Sequence, residues 1–255
     1  MQFIGITGHR GSGKTSVGYL LGNTLNAIRK GTEIEDIETE FKHWCDTIKN
    51  DENAIYDCPL YYVYFDEFGE MPKSFVAQLL SIDMSVLDND TLKDTMYVNM
   101  SNFKLYSYDK SFEVIKASDV LDHRGTKKWK NVYLSLREFA KLFSIDIMQN
   151  HFGSDVWLKS RIVNDEKWQV SFTEGFKVFS DVKTKDEIKY IKDNSGIIVR
   201  TLRPSHKKID AGITNTENSD ADFIINTEGP LTGLFEKIYE IANEIYTKQN
   251  IKDNN

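Results

Sequence analysis

Apolar residues recur along the chain in two ways, as short continuous runs and as stripes at helical spacing. The first run, over about residues 2–7, predicts a β-strand. In the segment after it, about residues 14–29, an apolar residue returns every three or four positions, which predicts an amphipathic helix. The residues of this stripe are Val17, Leu20, Leu21, Leu25 and Ile28. The chain is therefore expected to begin with a strand, a short loop and a helix.

The same two patterns alternate through the rest of the chain. We predict strands over about residues 60–65, 176–181, 197–202 and 222–225, and helices over about residues 72–82, 136–147, 149–163, 183–192 and 231–246. Alternating apolar and polar residues over about 96–115 predict a β excursion added to the core. The polar, acidic stretch 31–60 is predicted to form a helix and a loop outside the core. Short apolar strands alternating with helices favour an α/β fold with a parallel sheet covered on both faces.

Charge and composition narrow the classes of function. The 255 residues carry a formal net charge of −7, which disfavours a general nucleic-acid-binding protein. Cys45 and Cys58 form no CxxC pair, and the five histidines have no spacing typical of a metal site or a catalytic pair. The sequence shows neither a signal peptide nor an apolar run of membrane-spanning length. We therefore expect a soluble, cytoplasmic protein with neither nucleic acid nor membrane as a partner.

A glycine-rich loop lies between the first strand and the first helix. Its sequence, Gly8-His9-Arg10-Gly11-Ser12-Gly13-Lys14-Thr15, fits the P-loop (Walker A) pattern. In such a loop the backbone N–H groups and the helix N-terminus attract phosphate, the lysine reaches the β- and γ-phosphates and the hydroxyl binds Mg²⁺. The predicted nucleotide-binding residues are Gly8, Gly11, Ser12, Gly13, Lys14, Thr15 and Ser16. The alternative is a glycine-rich turn that binds no ligand.

Asp181 is the second candidate, because it ends an apolar strand. Ligands of parallel sheets bind at the carboxyl ends of the strands, so its carboxylate should lie at the same edge as the P-loop. There it would join Thr15 in holding Mg²⁺ or would help to orient the phosphate acceptor. The alternative is an aspartate that caps the next helix.

Arginines are the natural ligands of a second phosphate, because the guanidinium group binds oxyanions in a bidentate manner. The candidates are Arg137, Arg161, Arg200 and Arg203. For Arg161 and Arg200 we favour a surface salt bridge. The basic run Thr126-Lys127-Lys128-Trp129-Lys130 is interpreted as a solvated loop.

Several segments occur in the order found in one family, and the chain resembles the bacteriophage deoxynucleoside monophosphate kinases of the T-even phage type. The similar segments after the P-loop are Phe68–Lys73 with the helix that follows, Ser135–Arg137 upstream of Asp146, Asp155–Leu158, Val178–Lys183 with Glu187, Ile198–Pro204, Asp222–Asn226 and Leu231–Ile238. The resemblance covers most of the chain, and the ordered series is more specific than any single segment.

The resemblance implies a P-loop three-layer α/β/α fold with a five-stranded parallel sheet. It also implies an ATP- and Mg²⁺-dependent kinase that phosphorylates a deoxynucleoside monophosphate, located in the host cytoplasm if the chain is of phage origin. Phe68, Lys73, Arg137 and Asp181 would bind the acceptor, and Lys14, Arg137, Asp181 and Arg203 would be catalytic. The chain would be a single domain over 1–255, with 31–60 and 96–130 as insertions and 203–218 as a lid.

The chain departs from the family pattern at several positions. Lys183 replaces an arginine, which removes a bidentate group, and Ser144-Ile145 replaces Gly-Thr. Gly212–Asn215 replaces a segment with a histidine and a glutamate. Two other functions therefore remain open, namely a P-loop kinase for another small acceptor and a nucleotide-binding protein without catalysis. A homodimer is also left open.

Overall fold

The computed structural model describes residues 1–9, 11–50, 62–122, 129–168, 174–205 and 220–253. The chain divides into two compact units. The first consists of Met1–Phe68 and Glu166–Asn255, and the second consists of Gly69–Asp165. The chain thus leaves the first unit directly after Phe68 and returns to it after Asp165. The single kinase domain expected from the sequence stays a prediction.

The first unit is built on a five-stranded sheet. Its strands are β1 (Gln2–Gly8), β2 (Val63–Asp66), β7 (Phe176–Val182), β8 (Ile197–Leu202) and β9 (Phe223–Asn226). They lie in the order β2-β7-β1-β8-β9, and all four neighbouring pairs are parallel. The predicted α/β class with a parallel sheet is confirmed. Since the strands are parallel, the loops that follow β1, β2, β7, β8 and β9 all leave the sheet at one edge.

Helices cover both faces of this sheet. The helices of the unit are α1 (Lys14–Lys30), α2 (Ile34–Asn50), α10 (Lys185–Asp193) and α11 (Leu231–Asp253). Helices α1, α2 and α11 bury their apolar stripes with Ile4, Ile6 and Val178 on one face. On the other face Ile191 of α10 lies so close to Gly5 of β1 that a Cβ atom there would stand 2.5 Å from its Cδ1. The three-layer arrangement expected from the resemblance is therefore confirmed.

The prediction that residues 31–60 lie outside the core is wrong for their helical part. Helix α2 buries Ile37, Phe41 and Cys45 in the main hydrophobic cluster. These residues stand four positions apart and form one narrow stripe, while the acidic residues occupy the remaining faces. The excess of polar residues hid this stripe in the sequence. Residues 51–61 lie outside the described part of the chain.

The second unit contains a smaller sheet and several short helices. Its strands are β3 (Met96–Asn99), β4 (Leu105–Ser107), β5 (Glu113–Val114) and β6 (Val132–Ser135), in the order β4-β3-β6-β5. Its helices are α3 (Glu70–Leu80), α4 (Met84–Asp88), α5 (Asp90–Thr95), α6 (Ala117–Asp122), α7 (Leu136–Lys141), α8 (Asn150–Phe152) and most of α9 (Val156–Trp168). The predicted β excursion over 96–115 is confirmed, and β6 completes it.

The helical region after β6 is less regular than its apolar stripe predicted. Helix α7 continues as a π-helix over Leu142–Gln149, and the chain then breaks at Gly153, where φ is 104°. The predicted single helix over 149–163 is therefore wrong. The carbonyl of Ser144, within the π-helix, accepts a hydrogen bond from Trp157 Nε1 at 2.8 Å. Sequence periodicity does not record this change of helix type.

The helices of the described residues are too short or too polar for a bilayer core about 30 Å thick. None of them combines the length and the apolar character that crossing a membrane requires.

Candidate functional site

The Gly8–Thr15 loop connects β1 to α1 and depends on three glycines. Their φ angles are 148° at Gly8, 75° at Gly11 and 82° at Gly13, values that side-chain-bearing residues rarely adopt. Gly13 is also the N-cap of α1, so the loop runs directly into the helix N-terminus. Arg10 lies outside the described residues. The strand–loop–helix geometry expected of a phosphate-binding loop is present.

The loop is anchored to β8 by a buried pair of hydroxyl groups. Ser12 Oγ lies 2.6 Å from Thr201 Oγ1 and also donates to the carbonyl of His9 at 2.7 Å. A Cβ atom at Gly8 would stand 2.3 Å from Thr201 Oγ1 and 2.6 Å from Ser12 Oγ. Gly8 therefore has to be a glycine for reasons of space as well as of φ angle.

Two further side chains bind carbonyl groups of the loop from outside. Arg203, directly after β8, donates to the carbonyl of Gly11 at 3.4 Å, and Thr227, directly after β9, donates to the carbonyl of Ser12 at 3.1 Å. Since a peptide unit is planar, holding its carbonyl also fixes the direction of its N–H group. The ends of β8 and β9 thus set the conformation of the loop.

Lys14 folds back over the loop that precedes it. Its Nζ donates to the carbonyls of Gly8 at 3.0 Å and His9 at 2.9 Å. Burial, and then repulsion by Lys183, lower its pKa from 10.5 to about 8, while Asp181 opposes the shift. Bound phosphate oxygens would add negative charge beside this half-buried amine and favour its charged form.

Asp181 lies at the end of β7 and is tied to the end of β2. Its Oδ1 accepts a hydrogen bond from the backbone N–H of Phe68 at 2.7 Å, and its Oδ2 lies 3.4 Å from Nζ of Lys183. Helix α10 is capped by Thr184 in a capping box with Glu187. Asp181 is therefore not the helix cap that the sequence left open as its alternative role.

Oxygen ligands for a magnesium ion are available at this edge of the sheet. Thr15 and Ser16 lie in the first turn of α1 and are half-buried, and the Asp181 carboxylate lies near Lys14. Within the described ranges, no group of three or more His, Cys, Asp or Glu residues could hold a metal ion. Mg²⁺ typically takes one or two protein ligands and completes its shell with water and substrate phosphates. A hydroxyl and a carboxylate fit this manner of binding.

Phe68 was expected to line the acceptor side, but its ring lies in the core. The ring is only 4% exposed, stacks on Phe179 at 4.5 Å and meets Tyr190 edge-on at 6.2 Å. A ring so enclosed offers little surface to a nucleobase. The backbone N–H of Phe68 holds Asp181, and the role of Phe68 in acceptor binding stays a prediction.

Two of the predicted acceptor residues, Lys73 and Arg137, belong to the second unit and bind carboxylates of that unit. Arg137 donates to Asp94 at 2.6 and 3.0 Å and to Asp90 at 3.2 Å, and these hydrogen bonds, those to Asp94 first, raise its pKa. Lys73 pairs with Asp88 at 2.6 Å. Lys14, Asp181 and Arg203 belong to the first unit, so the structure places the predicted site residues in two groups.

The two arginines expected in surface salt bridges differ. Arg161 pairs with Glu70 at 2.8 Å, as predicted. Arg200 is only 5% exposed, so its assignment to the surface is wrong, and burial lowers its pKa. Of the predicted lid, only 203–205 lie in the described part of the chain, and Gly212–Asn215 and the basic run 126–128 lie outside it.

Thr201 and Thr227 were not identified from the sequence. Both stand at the carboxyl ends of strands, at the edge where ligands of parallel sheets bind. Their position at the predicted strand ends is the feature of the sequence by which they could have been identified. Threonines are common at strand ends, so the residue type alone does not distinguish them.

The sequence matches the model of a known protein family. The sequence model of the family described as deoxynucleotide monophosphate kinase matches residues 70–238, about two thirds of the chain. The match includes Arg137 and Asp181 but begins after the Gly8–Thr15 loop. The evidence from the loop therefore does not depend on this match. A search of curated proteins found no match.

Proposed function

Because the chain belongs to the deoxynucleotide monophosphate kinase family, we propose that it transfers the γ-phosphoryl group of ATP to a deoxynucleoside monophosphate. The Gly8–Thr15 loop carries this proposal. It joins three glycines at positive φ, a helix N-terminus and a half-buried lysine whose pKa is lowered to about 8. This combination fits a polyanion, since the N–H groups of a helix N-terminus and a nearby cation both attract negative charge.

In the proposed reaction the loop holds the β- and γ-phosphates of ATP. Lys14 exchanges its hydrogen bonds to the carbonyls of Gly8 and His9 for bonds to phosphate oxygens. A phosphate oxygen of the acceptor attacks the γ-phosphorus, the bond to the β,γ-bridging oxygen breaks, and ADP leaves with that electron pair. The attacking oxygen is already an anion, so no general base is required. The protein acts by positioning and by neutralising charge.

Magnesium would bind through the hydroxyl of Thr15 and the carboxylate of Asp181. When bound, the ion neutralises charge on the phosphates. The residues of the chain keep these ligands in place, because Phe68 holds one oxygen of Asp181 and Thr15 is fixed in the first turn of α1. Lys183, 3.4 Å from the other oxygen of Asp181, is proposed to bind the acceptor phosphate in place of the family's arginine.

The roles of Lys73 and Arg137 in acceptor binding stay predictions from the resemblance. A homodimer and a cytoplasmic location also stay predictions.

The proposal is tested by measuring ADP release with ATP, Mg²⁺ and a panel of nucleoside and deoxynucleoside monophosphates. We expect turnover with at least one deoxynucleoside monophosphate and a loss of at least about a hundredfold in Lys14→Ala. Lys30→Ala, an exposed change at the far end of α1, is the matched control and should retain activity. ATP binding without turnover on any member of the panel would contradict the proposal.

A further inference from the structure

Thr227 connects three parts of the first unit. Its backbone N–H donates to the carbonyl of Leu202 at 2.9 Å, which ties the end of β9 to the end of β8. Its hydroxyl lies 3.1 Å from the same carbonyl and 3.1 Å from the carbonyl of Ser12 in the loop. The hydroxyl has one proton and can donate it to only one of these two carbonyls at a time. Because the Leu202 carbonyl already accepts a hydrogen bond from the Thr227 N–H, donation to the Ser12 carbonyl is favoured.

Thr227 also limits the space beside Gly13. A Cβ atom at Gly13 would stand 3.5 Å from Cγ2 of Thr227, so the methyl group lies against the backbone of that glycine. One side chain therefore holds the Ser12–Gly13 peptide in two ways, with its hydroxyl on the carbonyl and its methyl beside Gly13. Because the peptide is planar and trans, its N–H group then points away from the carbonyl that Thr227 holds.

This N–H group belongs to the N-cap of α1. Backbone N–H groups at a helix N-terminus are the donors that bind phosphate. A carbonyl turned toward the phosphate at the same place would repel it. The direction of the Ser12–Gly13 peptide therefore decides whether the loop attracts or repels an anion at this position.

We propose that Thr227 is a positioning residue for the donor nucleotide, which fixes the Ser12–Gly13 peptide so that the Gly13 N–H faces the phosphate. The inference rests on the proposed function, since it takes ATP as the ligand of the loop. Thr227 contacts the loop and Leu202, whereas the acceptor phosphate is proposed to bind at Lys183. Its loss should therefore weaken ATP binding selectively and leave acceptor binding unchanged.

The test uses the full chain with three substitutions. Thr227→Val keeps the shape and removes the hydroxyl, Thr227→Ser keeps the hydroxyl, and Thr24→Val is the matched control. Thr24 is a fully buried threonine of α1 whose hydroxyl donates to the carbonyl of Leu20 at 2.8 Å, one turn earlier in the helix. The measurements are the Kd of Mg²⁺-ATP, the KM values of ATP and of the acceptor, and the Tm of each variant.

We expect Thr227→Val to raise the Kd and the KM of ATP about tenfold, the effect of losing one hydrogen bond to a buried carbonyl. The acceptor KM should stay within about twofold. Thr227→Ser should restore ATP binding, and Thr24→Val should lower Tm while leaving ATP binding intact. If Thr227→Val does not fold, Thr227→Ala takes its place in the comparison with Thr227→Ser.

The inference is overturned if the Val variant binds ATP as tightly as the wild type, or if the Ser variant is as weak as the Val variant. An equal rise in both KM values also overturns it. A wild type that binds ATP but phosphorylates none of the tested monophosphates counts against the proposed function alone. A wild type that does not bind ATP overturns both.

Discussion

The backbone N–H of Phe68 donates a hydrogen bond to Oδ1 of Asp181 across 2.7 Å. The two residues are 113 positions apart in the sequence. They meet because β2 and β7 are parallel neighbours that end at the same edge of the sheet. One oxygen of Asp181 is thus held by the scaffold, while the other lies near the flexible side chain of Lys183. This arrangement separates the structural part of the carboxylate from the part that can bind a cation.

The two oxygens of Asp181 can be tested separately. Asp181→Asn keeps an acceptor for the Phe68 N–H and removes the charge, so we expect a nearly unchanged Tm and a kcat lowered about 10- to 100-fold. Asp181→Ala removes the acceptor as well, and should also lose about 1–3 kcal/mol of unfolding free energy. Steady-state kinetics at several Mg²⁺ concentrations and thermal melts provide both readouts. Full activity in Asp181→Asn would remove Asp181 from the proposed magnesium site.

The lowered pKa of Lys14 predicts how stability depends on pH. Its pKa is about 8 in the folded protein and 10.5 in the unfolded chain, so between these values the unfolded state binds more protons. The free energy of unfolding of the wild type should therefore rise from pH 8 to pH 10 relative to that of Lys14→Met, by at most about 1.4 kcal/mol per pH unit. Below about pH 7 the difference should be constant, because Lys14 is then protonated in both states. Denaturant titrations across this range measure it, and a flat difference above pH 8 would contradict the shift.

Arg137 forms an ion pair with Asp94, which allows two alternative roles for Arg137. It either stabilises the second unit or binds the acceptor phosphate. If Arg137 binds the acceptor phosphate, Arg137→Ala should raise the acceptor KM or lower kcat while leaving ATP binding nearly intact. Asp94→Asn should then leave more of the guanidinium group to the phosphate and lower the acceptor KM. The measurement is the KM of the acceptor in the two single variants and in the double variant.

A purely structural role of Arg137 gives a different pattern. Both single variants would then lose a similar amount of unfolding free energy, and the double variant would lose little more, because the same interaction is removed in each. In that case the acceptor KM would not change. Equal loss of ATP affinity in Arg137→Ala would contradict the acceptor role as well.

The hydrogen bond from Trp157 to the carbonyl of Ser144 should stabilise the π-helix. Trp157→Phe keeps an aromatic ring beside Phe75, which lies 5.8 Å away, and removes the indole donor. We expect a loss of about 1 kcal/mol in unfolding free energy. Amide hydrogen exchange over 142–149 should become faster than in the wild type. Unchanged exchange there would show that the π-helix does not depend on this donor.

The succession of strands and helices along the chain could be predicted from the sequence, because each element carries its own apolar pattern. Helix α1 begins at Lys14 as predicted, and β8 covers Ile197–Leu202 as predicted. Helix α2 was misplaced, because the narrow apolar stripe of Ile37, Phe41 and Cys45 is masked by charged residues. The π-helix was missed, because the apolar stripe over 136–147 predicted a continuous helix and does not record the change of helix type.

The sequence by itself determined the glycine-rich loop, its lysine and the strand-ending Asp181, since these signals are local and their spacing is dictated by backbone chemistry. The tertiary structure alone decided which residues support them. Thr201 and Thr227 reach the loop because β8 and β9 end beside it, and Phe68 serves Asp181 through its backbone and not its ring. Hydrogen bonds between residues so distant in the chain follow from the order of strands in the sheet. No local pattern encodes that order.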